Sequence, residues 1–245
     1  MNLIVDIGNT RVKVVVMSAQ RVVASYVVET VTAEWLKHIV AQHPDVSRAI
    51  VSSTRGDGHG CVEMLQGMVN LAICFTPAVT PIPLGNAYHT PQTLGADRLA
   101  AAVGAAALYP DSELLLVDFG TAITIDFVEG GSFRGGNISP GVTTRFRSLA
   151  DYTASLPLCS ASDEVLDYGR TTREAIEQGV MRGVEQEIRG YCDDFSKKNG
   201  KKCIIFTGGD AKYFVNRIKN AIFADCEPVI FGLNRILDYN AEKQE

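Results

Sequence analysis

Two stretches of the chain set an acid, a glycine and a threonine at the point where an apolar run turns back on itself. One is LIVDIGNTRVKVVV from Leu3, the other LLVDFGTAITIDFV from Leu115. Glycine lets the backbone come close to a ligand and tolerates positive φ. The neighbouring N–H groups and the threonine hydroxyls can then donate to phosphate oxygens, as an anion nest does. Asp6 and Asp118 would repel a phosphate directly, so their chemistry is to hold a cation, often through water, that bridges to it. Lys13 adds a positive charge on the returning strand. A lone Asp-x-Gly-Asn at a strand end is also an ordinary Asx-type turn. Two copies, followed by Gly208–Gly209 in IIFTGGD, favour the nucleotide reading; a double glycine between strand and helix lets backbone lie against an adenine or ribose.

A third stretch, GADRLAAAVGA from Gly95, puts Asp97 and Arg98 at the head of an alanine-rich helix. A carboxylate there can cap the helix. It can equally act as a general base, orienting and deprotonating a hydroxyl for in-line attack on the γ-phosphoryl of ATP. Such transfer is mostly positioning and charge stabilisation, so an ordinary carboxylate suffices. Arg98 can fork to a substrate carboxylate through two parallel hydrogen bonds.

The elements that must position these groups follow from periodicity. LIVDIG, RVKVVVMS and RVVASYVV read as three strands in hairpin order. TAEWLKHIVAQHP reads as a helix with Trp35, Leu36, Ile39 and Val40 on one face. RAIVSST and LAICFTP are further strands, with GDGHGC between them a loop or turn leading into a segment of ambiguous helical pattern. After Pro110 the pattern restarts, with Asp6 and Asp118 112 positions apart. An internal duplication of that length predicts two similar α/β halves, residues 1–111 and 112–245. In the second half, GGNISPG at 135–141 reads as loop. Thr171 and Glu174 have capping-box spacing, ahead of a long helix with Ile176, Val180, Val184, Ile188, Tyr191 and Phe195 on one face. Gly179 and Gly183 on that helix cost propensity, which predicts a close backbone neighbour inside the subunit or across a dimer. VIFGLNRILDYN is a last short helix, and AEKQE a frayed tail.

The ordered set of two phosphate hairpins and a glycine-bearing adenosine motif resembles the acetate and sugar kinase, heat-shock chaperone and actin superfamily. That resemblance implies two ribonuclease-H-like domains, with ATP and the active site in the cleft between them. Within it, D-x-G-N-T-x-x-K at Asp6, G-A-D-R at Gly95, D-x-G-T-A at Asp118 and G-G-x-I-x-P-G at Gly135 look like type III pantothenate kinase. The family makes 4′-phosphopantothenate from pantothenate and ATP, the first step towards coenzyme A, as a cytoplasmic homodimer using Mg²⁺ and a monovalent cation, K⁺ or NH₄⁺. The resemblance implies that Asp6, Ile7, Gly8, Asn9, Thr10, Arg11, Val12 and Lys13 form the first phosphate loop and that Thr121 binds the ATP phosphates. Asp97 would be the proton acceptor. Tyr88, Gly95, Ala96, Asp97, Arg98 and Thr172 would hold pantothenate, and Asp118 the monovalent cation. Arg145 and Arg147 depart from the more apolar helix common at that place; they are surface charges or face a partner subunit.

Composition narrows the field further. The chain has 245 residues and a formal net charge of -5, so a broad nucleic-acid surface is not expected. No apolar run reaches the roughly 18 residues of a membrane span and no basic leader precedes the first strand, which points to the cytoplasm. Cys61, Cys74, Cys159, Cys192, Cys203 and Cys226 form no C-x-x-C pair and read as reduced and structural. His38, His43, His59 and His89 show no zinc spacing. The DFG tripeptide at 118–120 comes without the other protein-kinase signatures, and no Walker A motif is present. Three function classes follow: a pantothenate kinase, a kinase for another small alcohol (or an ATPase), and a non-catalytic nucleotide-binding regulator. The presence of both Asp97 and Arg98 favours the first.

Overall fold

The computed structural model describes residues 1–219, 221–223 and 227–243; Cys226 and the last two residues of the AEKQE tail lie outside them. The chain forms two compact units. The first begins with β1 (Asn2–Ile7), β2 (Val12–Ser18) and β3 (Arg21–Val28), then α1 (Ala33–Gln42), β4 (Arg48–Ser53), α2 (Gly58–Leu65), β5 (Leu71–Cys74), β6 (Gly85–Asn86) and α3 (Ala96–Leu108). Its sheet runs β3-β2-β1-β4-β5. β1 is antiparallel to β2 and parallel to β4. Leu3, Ile4, Val5 and Ile7 are all buried, as expected for a central strand covered on both faces. Leu3, Val5 and Ile7 pack with Leu36 and Ile39 of α1 and Cys61 and Leu65 of α2.

The second unit contains β7 (Glu113–Phe119), β8 (Ala122–Glu129), most of β9 (Ser132–Pro140), α4 (Val142–Asp151), α5 (Thr172–Ser196), β10 (Lys202–Thr207), α6 (Ala211–Val215) and β11 (Ala221–Phe223). Its strand order is β11-β10-β7-β8-β9. Number the strands of each unit from one and the two orders are the same. The pairing is the same too: β7 is antiparallel to β8 and parallel to β10. Asp6 stands beside Ser52 of β4, and Asp118 beside Thr207 of β10. The duplication predicted from Asp6 and Asp118 is thus a repeat of topology and register. Ile176, Val180, Val184, Ile188 and Phe195 of α5 join Leu115, Val117 and Ile123 in this unit's core.

Three boundaries differ from the sequence reading. Residues 135–141 belong largely to β9 rather than to a loop, because glycine fits where its neighbours leave no room: a Cβ on Gly136 would lie 2.0 Å from the Ile125 carbonyl oxygen. The final helix is not short. α7 (Pro228–Glu242) has 15 residues and runs through the start of the supposed tail. It also belongs to the first unit, as do residues 131–134, so the division at 111/112 does not describe the compact units. The physical reason is the α3–α7 crossing. A Cβ on Gly232 would lie 1.8 Å from the Ala100 carbonyl oxygen, and one on Gly104 2.0 Å from that of Pro228. The alanines of α3 are small because α7 lies directly on them.

Two features left open by the sequence lie in the second unit. Arg145 donates to the Pro140 carbonyl at 2.7 Å and pairs with Glu187 of α5, while Arg147 is exposed. Among the described residues, nothing lies within 4 Å of a Cβ placed on Gly179 or Gly183.

Candidate active site

In the β1–β2 register Asp6 faces Lys13 and Ile7 faces Val12. Gly8 N–H donates to the Arg11 carbonyl at 3.0 Å, closing the turn and leaving Asn9, Thr10 and Arg11 exposed. Gly8 does not use positive φ; its value is space, since a Cβ would come within 3.3 Å of the Arg11 oxygen. Lys13 does not stand alone beside the turn. Its Nζ pairs with Glu227, the N-cap of α7, a partner 214 positions away that no local pattern announces.

Asp6 is the electrostatic centre of this unit. Its Oδ1 is enclosed without a hydrogen-bond partner, as is Oγ of the adjacent Ser52. Burial, then the charge of Asp97, push the Asp6 carboxyl up from its usual 3.8 to about 6; Glu227 adds to the rise, and the nearby Ser52 hydroxyl and Lys13 oppose it. The charge of Asp97 thus acts on Asp6. Asp97 lies in the first turn of α3, whose N-cap is Gly95, and accepts from Arg98 N–H at 2.8 Å. Asp97 is therefore not the cap, since Gly95 takes that position and no side chain caps the helix; from the first turn the acid complements the helix dipole instead. A Cβ on Gly95 would sit 2.6 Å from Asp97 Oδ1, so glycine makes room for this carboxylate.

Arg98 is buried, its guanidinium carbon 5.8 Å from the Tyr88 ring centroid and 5.9 Å from that of Phe133. Tyr88, named from sequence, thus meets Arg98 directly. Phe133, which sequence reading missed, completes the support: its strand segment pairs in parallel with β6, Gly85 with Ser132 and Asn86 with Phe133. A cavity of ≈ 450 Å³ opens beside Gly95 and Ala96, lined also by Thr54, Phe75, Gln92 and Leu94.

In the second unit Asp118 faces Thr124 across the β7–β8 hairpin. Gly120 N–H donates to the Ala122 carbonyl at 3.2 Å, the counterpart of the Gly8 closure. The Thr121 carbonyl accepts from Gly141 N–H at 3.0 Å and from Thr144 Oγ1 at 2.7 Å. A Cβ on Gly141 would fall 2.1 Å from the Gly120 oxygen, which is why the glycine-rich strand ends as it does. Gly208, at φ +94, packs against Asp118: a Cβ there would lie 2.3 Å from Asp118 Oδ1 and 2.7 Å from the Phe119 carbonyl oxygen. Of the double glycine, only Gly209 faces open space. Thr172 is the first residue of α5, with Thr171 as N-cap accepting from Glu174 N–H; the Glu174 carboxylate accepts from Arg170 N–H at 2.7 Å.

Among the described residues, no three His, Cys, Asp or Glu side chains converge to ligate a metal directly. The orphaned Asp6 Oδ1 nevertheless fits a hydrated divalent ion, because Mg²⁺ retains its waters and accepts a carboxylate through them. Asp118 Oδ1 and the Phe119 carbonyl, both packed on Gly208, are all-oxygen donors of the kind a weakly hydrated monovalent cation takes.

The fold and these turns have relatives. The family model for type III pantothenate kinase matches residues 2–194. A type III pantothenate kinase from Porphyromonas gingivalis is 42% identical over 243 residues, covering 98% of both chains. One from Bacteroides fragilis is 39% identical over 241 residues, again covering 98% of both. Among solved structures, a conserved protein from Campylobacter jejuni assigned to the Baf transcriptional activator family superposes with a TM-score of 0.64 at 21% identity, covering 98% of this chain and 99% of that one. The activator of 2-hydroxyisocaproyl-CoA dehydratase from Clostridium difficile, with bound ADPNP, superposes at 0.56 and 15% identity, covering 99% and 96%. These likenesses carry the fold alone: two ribonuclease-H-like α/β units of the actin-like ATPase fold. The sequence matches carry the rest, and the chain belongs to the type III pantothenate kinase family.

Proposed function

We propose that Asp97 is the general base with which this chain transfers the γ-phosphoryl group of ATP to the primary alcohol of pantothenate. The alcohol oxygen forms the new bond to γ-phosphorus, the bond from γ-phosphorus to the β–γ bridging oxygen breaks, ADP leaves, and the alcohol proton passes to Asp97. The observation that supports this most is the place of Asp97 in the first turn of α3, next to Gly95 and Ala96, which border the cavity. Its charge also raises the Asp6 carboxyl at the first phosphate turn, which suits a carboxylate acting on a nucleophile brought there. Asn9, Thr10 and Arg11 offer exposed donors to the phosphates, with Asp6, Ile7, Gly8, Val12 and Lys13 holding the turn in shape; Thr121 offers its counterpart in the second unit.

Arg98, with its guanidinium set against Tyr88 and Phe133, suits the pantothenate carboxylate, and Gly95 and Ala96 border a cavity of sufficient size. Thr172 is proposed to touch the same substrate. Mg²⁺, held through water by Asp6, would neutralise phosphate oxygens; K⁺ or NH₄⁺ at Asp118 would add a second fixed positive charge. A homodimer is proposed as the working form, and the exposed, uncovered Gly179 and Gly183 face of α5 is compatible with a second copy packing there. The cytoplasm, where ATP and a coenzyme A precursor are both at hand, is the proposed compartment. Among the described residues no helix is long and apolar enough to cross a membrane.

The test is product formation. With Mg²⁺·ATP and K⁺ or NH₄⁺, mass spectrometry should detect 4′-phosphopantothenate, and omission of the monovalent cation should lower the rate. Phosphorylation of a different alcohol in preference to pantothenate, or nucleotide binding without any turnover, would overturn the reading.

A further inference from the structure

The segment that follows β4 is clamped to the first phosphate turn. Thr54 N–H and Thr54 Oγ1 both donate to the Ile7 carbonyl, at 3.0 and 3.2 Å. Arg55 Nε donates to the next carbonyl, Gly8 O, at 2.7 Å. The segment is itself braced: Ser53 Oγ donates to Asp57 Oδ1 at 2.5 Å and accepts from Arg55 N–H at 3.1 Å. In the second unit the equivalent segment, after β10, also leans on its hairpin turn, through Gly208 and the Asp210 N–H to Phe119 O contact at 3.4 Å. There glycine supplies close packing. In the first unit an arginine does the holding.

A trans peptide sends its C=O and its N–H in opposite directions. Fixing Gly8 O on Arg55 therefore turns the Asn9 N–H to the opposite side of the turn. Gly8 N–H is already spent on Arg11 O, so Asn9 N–H is the first amide of the turn that a phosphate can use. Arg55 is exposed, and it brings a cationic group to a turn whose Lys13 is engaged by Glu227.

We propose that Arg55 is a positioning residue for nucleotide, orienting the Gly8–Asn9 peptide so that the Asn9 amide meets an ATP phosphate. The proposal rests on reading residues 6–13 as the nucleotide turn. Losing a charge-assisted hydrogen bond predicts a KM for ATP raised about tenfold in Arg55→Ala, with the KM for pantothenate unchanged within about twofold. Arg55→Lys, which keeps a charged donor, should recover most of the ATP affinity. Calorimetric titration with Mg²⁺·ADP reads the same step without turnover, so a lost nucleotide contact and a wrong acceptor give different results. Weaker ADP binding in Arg55→Ala upholds the role of Arg55 even should pantothenate prove the wrong acceptor. An unchanged KM and ADP affinity in Arg55→Ala would overturn the proposal, as would a parallel rise of both substrates' KM values. Should Arg55→Ala fail to fold, Arg55→Gln serves for the same comparison.

Discussion

At the scale of single residues, Asp6 carries a charge in a place that resists it. Its carboxyl is raised to about 6 in the folded protein against 3.8 ordinarily, so the native state binds this proton more tightly than the unfolded chain. Below about pH 3.8 both states are protonated and nothing is lost. As pH rises towards 6 the unfolded chain ionises first, stability falls, and the full cost stands above 6, at most about 3 kcal/mol from a shift of this size. Asp6→Asn should therefore make the ligand-free protein more stable than wild type at pH 8 but not at pH 4, read by urea denaturation at both. A variant less stable at pH 8 would contradict the assignment of burial as the chief cause. Much of this residue chemistry was legible in advance, because an acid inside an apolar run is conspicuous. The partners that tune it were not. Glu227, Arg55 and Phe133 reach the site by long-range contact, and periodicity records only what a residue does within its own element.

Elements explain why the acids stay where they are. The alanine-rich pattern of α3 reads as helix propensity, but it also answers α7, which crosses so closely that Gly232 and the Ala100 carbonyl leave no room for a methyl group. That crossing, at Ala100 and Gly104, seats α3, whose first turn carries Asp97, on the helix whose N-cap Glu227 pairs with Lys13. Gly232→Ala gains helix propensity of about 1 kcal/mol yet must force the helices apart, a penalty of about 1–3 kcal/mol or more in a packed core. The net expectation is a melting temperature lowered by several degrees and a reduced kcat. Calorimetry showing a higher melting temperature would mean the helices are free to separate. The sequence reading saw α7 as short and left it with the second half, since nothing local in VIFGLNRILDYN names the helix it packs on.

For the molecule as a whole, the repeat of Asp-x-Gly at Asp6 and Asp118 proved the most informative feature. It anticipated two similar α/β halves; the structure adds that the two sheets share strand order and pairing, that a glycine amide closes the hairpin turn in each, and that a following segment leans on that turn. What it did not anticipate is the exchange at the chain's end, where residues 227–243 return to the first unit. The proposed chemistry depends on one group, and replacing it is the most direct test. In Asp97→Asn, steady-state formation of 4′-phosphopantothenate from ATP and pantothenate should fall by on the order of 10²–10⁴-fold, with the fold and Mg²⁺·ADP affinity retained. A variant that turns over within about twofold of wild type would remove Asp97 as the base and the account with it.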